Sequence, residues 1–439
     1  MSTRYLDKKT HRFFFTDSGG KRRSYVLIFG DEISLVPGDG TGTGDWVRAV
    51  YRNRTGKMKK PRLSAQRSLE LYFLDVGQGD AAFIVTPGGR KILVDGGLRN
   101  RALGFLIWKY RLDRPANSVD LDCLVLSHAD LDHLEGLIPI LRHPRIRVRQ
   151  ILHNGIALFR GGFNTKLGHK TSDNRLTTLH SRVGELRGME LADTFAAWIR
   201  AVRESGAAYG AVHAGARIPD IGDTAVDLEF LGPVVKRENN SLSLPWFRDK
   251  ARTINGHSVV FRLCYNKVRV LFSGDLNPPG AARLLAHHGP SGFDAHIFKA
   301  PHHGSHEFHP PFFRAVRPMI TVVSSGDAPD HGHPRASFLG AVGRVGRSRH
   351  PLIFSTEIAA TFRDFGNGSA AEPADIMADS TLAALDYSTN EANRLARHSF
   401  KKILPGMINV RTDGRMIYAA RRVQAGYQWE SYGPLRPVE

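Results

Sequence analysis

Residues 127–133 read Ser-His-Ala-Asp-Leu-Asp-His, so His128, Asp130, Asp132 and His133 place two imidazoles and two carboxylates within six positions. Groups this close can meet at one point if the chain turns sharply. Imidazole nitrogen beside carboxylate oxygen suits Zn²⁺, Mn²⁺ or Fe²⁺. A solvated polar loop is the bland alternative, but the spacing H-x-D-x-D-H is not ordinary turn chemistry. Three further segments carry similar groups: Ser273-Gly274-Asp275, Lys299-Ala300-Pro301-His302-His303-Gly304-Ser305-His306 and Asn255-Gly256-His257-Ser258. A carboxylate at Asp275 can bridge two ions, and His257, His302 and His303 offer more imidazoles. Each segment alone is weak, because an isolated histidine is usually structural or exposed. That bland reading applies to His153, His169, His180 and His213.

Strands must position these groups. A mostly apolar run over 121–126 predicts a buried strand ending at the ligand turn, and a helical pattern over 134–141 follows until Pro144. Asp275 closes a strand over 268–272, and the histidine pair closes a short one over 295–299. Other strands are predicted over 70–76, 81–86, 90–94, 145–152, 225–231, 258–265 and 319–324. Helices are predicted over 103–110, 191–204, 280–286 and 391–398, and a hairpin over 407–420 about Asp413-Gly414. Asp80 and Asp95 lie in glycine turns, where they cap backbone N–H groups or partner a ligand histidine.

Residues 1–66 read as a separate small β-rich module. It ends in Arg52, Arg54, Lys57, Lys59, Lys60 and Arg62, interleaved with Trp46 and Tyr51. These form either a nucleic-acid platform or a solvated linker. Residues 67–366 alternate strands and helices as the main domain. Within it, 154–215 reads as a helical insertion, since structureless loops of that length are rare. Residues 367–439 read as a C-terminal extension packing on that domain.

The 439 residues carry 61 Lys+Arg against 42 Asp+Glu, a net charge of +19. Such a field attracts polyanions such as nucleic acid; the alternative is the arginine-rich usage of a GC-rich proteome. Cys123 and Cys264 both sit in apolar strand-like runs, which excludes a disulfide framework or a CxxC metal site. No apolar run approaches the ~20 residues of a membrane span, and residues 1–10 lack a signal-peptide core. A soluble, reducing, cytoplasmic setting without membrane contact is expected.

The segments FLDVGQGDAAFIV (73–85), ILVDGG (92–97), LVLSHADLDHLEG (124–136), NGHSVVFRL (255–263), VRVLFSGDL (268–276) and KAPHHGS (299–305) resemble the metallo-β-lactamase superfamily. The resemblance runs over about 70–354. It is greatest to the branch that includes the hydrolase domain of bacterial DNA-uptake (competence) channel proteins. It implies a mixed α/β fold, a four-layered αββα sandwich with a dinuclear metal site along one edge of the sheets. It further implies two divalent ions, Zn²⁺ or Mn²⁺. His128 and Asp130 would hold the first, with His257 as a further ligand; Asp130 stands where many members have histidine. Asp132 and His133 would hold the second, with Asp275 bridging and His303 as the last ligand. His302 would contact substrate. A water between the ions would be acidified and attack phosphorus in line. Asp132 would orient it, Lys299 or His302 would stabilise the growing charge, and His306 or His333 would protonate the leaving oxygen. The loop Asp330-His331-Gly332-His333-Pro334 resembles a GHP element of the family, a polar turn being the alternative. Phe308, Phe312 and Phe313 could stack on a base or pack in the core.

The expected function is that of a metal-dependent phosphodiesterase or nuclease acting on nucleic acid, DNA before RNA. One alternative is a hydrolase of small phosphodiesters, cyclic nucleotides or another small ester. Another is a nucleic-acid-binding effector subunit, for instance in defence against phage. Transport is not implied, because the membrane channel of competence proteins is lacking. Protein partners and oligomeric state are left open.

Overall fold

Strands that are apolar on both faces need cover on both sides, and two stacked sheets with helices outside supply it. The computed structural model describes residues 2–36, 45–218, 223–239, 241–326, 332–357, 386–403, 406–422 and 429–438. Asp330 and His331 lie outside them, as does the glycine-rich loop near residue 40. A nine-stranded sheet has the order Ala208–Ala211, Gln150–His153, Cys123–Val125, Lys91–Val94, Ala82–Val85, Leu69–Phe73, Ile408–Thr412, Ile417–Arg422, Trp429–Leu435. A six-stranded sheet has the order Val226–Gly232, Val260–Tyr265, Val268–Phe272, Ile297–Lys299, Ile320–Val323, Leu352–Ser355. Leu71, Phe73 and Ile84 meet Phe261, Val270 and Phe272 between them, where the Phe73 and Phe272 rings stack 6.0 Å apart.

Helices Arg101–Tyr110, Leu137–Arg142 and Asp193–Ser205 pack on the outer face of the larger sheet. Helices Pro278–His288, Pro310–Val316 and Ala336–Val345 cover the smaller one. The result is a four-layered αββα sandwich. Asp193–Ser205 shows why such a helix forms here: Phe195, Trp198, Ile199 and Val202 recur on one face, and Gly206 closes the helix at φ 66°. Trp198 is fully buried, and its truncation to Ala would cost about 3–5 kcal/mol. Phe312 and Phe313 are core residues under the smaller sheet, with Phe308 stacked on Phe313 at 5.0 Å.

Parallel pairing decides where loops collect. Lys91–Val94, Cys123–Val125 and Gln150–His153 run parallel, as do Val268–Phe272, Ile297–Lys299 and Ile320–Val323. Their C-terminal ends therefore gather their loops along an edge, as ligand sites in such sheets require.

The segment 154–215 is only partly an insertion. Helix Asp193–Ser205 connects Gln150–His153 to a parallel edge strand, Ala208–Ala211, so it belongs to the sandwich. The C-terminal strands likewise do more than pack against the domain: Ile408–Thr412 pairs with Leu69–Phe73 inside the nine-stranded sheet. Residues 2–36 and 45–64 form a seven-stranded antiparallel sheet around Leu6, Phe13, Leu27, Ile33, Ala49 and Met58. Charged side chains fasten this sheet to the sandwich. Arg411 donates to the Phe29 carbonyl (2.8 Å) and Asp31 (2.9 Å), and Arg67 joins Glu70 (2.8 Å) to Glu32 (2.5 Å). Among the described residues, no helix is long and apolar enough to cross a membrane.

Candidate metal centre

The chain leaves strand Cys123–Val125 into a turn pinned by one carboxylate. Asp95 accepts from the Ser127 backbone N–H (2.7 Å) and hydroxyl (2.6 Å). Helix Leu131–Leu134 follows at once, with Asp130 extended before it. The helical pattern expected from residue 134 thus begins three residues earlier, which places Asp132 and His133 in its first turn. The turn Gly77-Gln78-Gly79-Asp80 lies directly against it. Gly79 has φ +109°, and a Cβ there would stand 2.0 Å from the Asp132 carbonyl oxygen, so only glycine permits the approach.

Five groups converge. His133 Nδ1 meets Asp95 Oδ2 at 2.9 Å, and its Nε2 lies 3.3 Å from Asp275 Oδ1. Asp275 Oδ2 is 3.2 Å from His303 Nε2, itself 3.2 Å from Asp132 Oδ2. His303 Nδ1 donates to the Ser324 carbonyl (3.0 Å), which turns Nε2 inward. Its backbone has φ 52° inside a tight turn that aims the ring. Ligand atoms of His128, His133 and Asp275 lie within 4.8 Å of one another, as do those of Asp132, His133 and His303. Asp130 is at the margin, 3.7 Å from His128 Nε2 and about one-third exposed.

The donor set fits a divalent cation. The Nε2 atoms of His128, His133 and His303 and Oδ1 of Asp275 are buried without a hydrogen-bond partner. Buried polar atoms are almost always satisfied, so several aimed at one point call for an ion. Burial, reinforced by His133, pushes His128 down to about 3, leaving a neutral imidazole. Burial also opposes charge on His133 and His303, but Asp275 with Asp132 and Asp95, or with Asp80, outweighs it and raises both rings well above the usual range. Burial and then the Asp132 charge raise Asp130 to about 6.

Two expected roles are corrected. His257 is not in the cluster: its Nε2 meets the Pro245 carbonyl at 2.7 Å and its ring stacks on Phe247 at 4.6 Å. Asn255 stands there instead; with its amide nitrogen assigned to the side that faces acceptors, it donates to Asp130 Oδ2 (2.9 Å) and the Ala251 carbonyl (3.2 Å). Helix Lys250–Gly256, capped by Asp249, ends so that residue 255 and not 257 faces the turn. Lys299 does not reach for substrate either. Its Nζ is buried in an ion pair with Asp80 and also donates to the Ala300 carbonyl (2.7 Å). His302 is half-buried with Nδ1 unpartnered, its ring 5.9 Å from that of His333, while His306 is exposed.

The basic residues of the N-terminal sheet fall in two places. Arg52 lies over the Trp108 ring (4.1 Å) and Arg54 over Phe15 (4.8 Å), at the turn between Trp46–Tyr51 and Arg54–Lys59. Lys57 lies over Trp46 (5.3 Å), with Lys59 and Lys60 exposed beyond it. Gln78 is a contact the sequence did not single out; its amide donates to Asp132 Oδ2 at 3.4 Å, and its place inside GQGD was the available signal.

An αββα sandwich with an Asp/His cluster at strand ends defines a metallohydrolase class. The Metallo-beta-lactamase superfamily model matches residues 74–309, more than half of the chain, and the protein belongs to that superfamily. Similar solved structures are distant. Igni18, a metallo hydrolase from the hyperthermophilic archaeon Ignicoccus hospitalis, is 12% identical over 64% of this chain and 96% of its own, with TM-score 0.32. A Thermotoga maritima protein that its description places in the same superfamily is 10% identical over 57% and 74%, with TM-score 0.23. The search among curated proteins returned no match.

Proposed function

We propose that this metallohydrolase is a phosphodiesterase that cleaves nucleic acid, DNA before RNA, using two divalent ions, Zn²⁺ or Mn²⁺. The observation that carries the reading is the convergence of Asp132, His133, Asp275 and His303 in a chain with a net charge of +19. Asp132, His133 and His303 would hold one ion, His128 and Asp130 the other, with Asp275 between them. Such ions supply Lewis-acid polarisation of a phosphoryl oxygen and acidify water.

The chain's own groups do the rest. Burial opposes ionisation of Asp132, but His133 and His303 hold it below the usual carboxylate range, so it is ready to accept a proton-bearing nucleophile's hydrogen bond. His302, held neutral by burial, offers an unpartnered ring nitrogen to a phosphodiester oxygen. Asp95, Ser127 and Ser324 fix the two ligand rings that must not rotate. The positive field raises the local concentration of a polyanionic substrate. Incubating metal-loaded protein with labelled single- and double-stranded DNA and RNA tests the reading. Cleavage of at least one, lost in Asp132→Ala, is expected; intact substrates throughout, with metal bound, would overturn it.

A further inference from the structure

Helix Arg101–Tyr110 begins beside the metal edge, just after the Asp95 turn, and its ten residues span about 15 Å. Its far end opens into a cleft of about 620 Å³ against the N-terminal sheet and strand Trp429–Leu435. Arg52, Arg54, Lys109, Arg111, Arg397 and Arg422 line this cleft. Among the described residues, no Asp or Glu lines it. Acids stand behind its wall: Asp113 is shared by Arg111 (3.2 Å) and Arg397 (3.1 Å), Glu70 stands 3.4 Å from Lys109 Nζ, and Asp31 accepts from the Tyr51 hydroxyl (3.1 Å). Arg397 Nε is buried without a hydrogen-bond partner. The cations lining the cleft outnumber the acids behind it, and an anion would offset the excess.

We propose that this cleft is a second ligand site, separate from the metal centre, for a nucleotide: a phosphate-bearing ligand with an aromatic base. Guanidinium groups meet phosphate oxygens in pairs, at fixed geometry. Ring faces supply the other half of the recognition. Tyr110 and Trp429 line the same cleft half-buried, and Arg52 lies at 4.1 Å over the buried Trp108 ring in its wall. Stacked rings and guanidinium planes are the platforms on which bases rest. An acidic peptide would use the cations and leave the rings idle. The volume matches small-molecule sites, room for a free nucleotide or for the terminal nucleotide of a strand. The three walls come from the N-terminal sheet, helix Arg101–Tyr110 and the C-terminal strands with helix Asn390–Ile403, which carries Arg397, so a bound nucleotide would tie these parts together. The inference does not depend on what the metal centre cleaves.

Calorimetric titration of the full chain tests it, with ATP, cyclic AMP, a linear dinucleotide, a short single-stranded oligonucleotide and pyrophosphate as probes. Each is run with and without chelator, so that hydrolysis or metal-bridged phosphate is recognised. A nucleotide probe is expected to bind with chelator present, more tightly than pyrophosphate, and to weaken about tenfold or more in Arg52→Glu/Arg54→Glu. Both residues are exposed, so circular dichroism and metal content of that variant should match wild type. Binding by the oligonucleotide alone would assign the cleft to a strand end, within the same chemistry. No binding of any probe, equal binding by the variant, or pyrophosphate binding as tightly as every nucleotide would overturn the proposal.

Discussion

Asp95 Oδ2 accepts from His133 Nδ1 at 2.9 Å, and the opposite nitrogen of that ring points, without a hydrogen bond, toward Asp275. One carboxylate thus sets the tautomer and the aim of an imidazole, and through Ser127 also braces the turn that carries it. Partners of this kind raise ligand basicity and hold ring orientation. Replacing Asp95 by Asn is expected to weaken divalent-metal affinity by about 10–100-fold with the fold retained. Competition with a chromophoric chelator measures this directly. An unchanged affinity would show that Asp95 only caps the turn.

Substitution of His257 should separate structure from ligation. His257→Ala removes the contact with the Pro245 carbonyl and the stack on Phe247, at a cost of about 1–3 kcal/mol. Metal content should stay at the wild-type level. Asn255→Ala, which strips the donor from Asp130, should lower metal occupancy more than His257→Ala does. The reverse order in metal analysis would restore His257 as a ligand.

Two glycines make a controlled pair. Gly79 and Gly89 both have positive φ, +109° and +87°, so alanine strains either by about 1–3 kcal/mol. Only Gly79 has the Asp132 carbonyl against it; nothing lies within 4 Å of a Cβ on Gly89. Gly79→Ala should therefore lower both melting temperature and metal affinity, and Gly89→Ala the melting temperature alone. Equal metal binding by the two variants would refute a role for close approach.

Acid should loosen the junction between the N-terminal sheet and the sandwich. Burial opposes ionisation of Glu70, yet Lys109, Arg411 and Arg67 outweigh it and bring it down to about 2. In the unfolded chain the same carboxyl titrates near the ordinary glutamate value of 4.5. Between these values the unfolded state binds more protons, so stability falls as pH falls. The contribution, on the order of a few kcal/mol, is fully present above about pH 5 and lost toward pH 2. Denaturant melts of wild type and Glu70→Gln across that window should converge as pH drops. Parallel curves would contradict the pairing. Arg411→Ala, which leaves Asp31 and Glu70 buried with less compensation, is expected to cost about 3–5 kcal/mol at neutral pH.

Much of this was legible because the informative groups are local. The imidazoles and carboxylates of 128–133 sit on one turn, and the strands before them are plain apolar runs. Each closing motif, at Asp275 and His303, follows its own strand. The misses are of another kind. Whether residue 255 or 257 faces Asp130 depends on where the short helix Lys250–Gly256 ends, and its length gives almost no periodicity to read. Lys299 looked like an oxyanion stabiliser from its neighbours in sequence, but its partner, Asp80, lies 219 residues away. The C-terminal strands entered the central sheet through pairing with Leu69–Phe73, a long-range register that no local pattern encodes.

The central claim is that buried side chains from separate strand ends hold divalent metal together. Metal content by mass spectrometry, after equilibration with Zn²⁺ or Mn²⁺ and desalting, tests it in wild type against His133→Ala/Asp275→Ala. Retention of metal by wild type and its loss in the folded double variant is the predicted result. Equal occupancy in both, or no bound metal in wild type, would contradict the account.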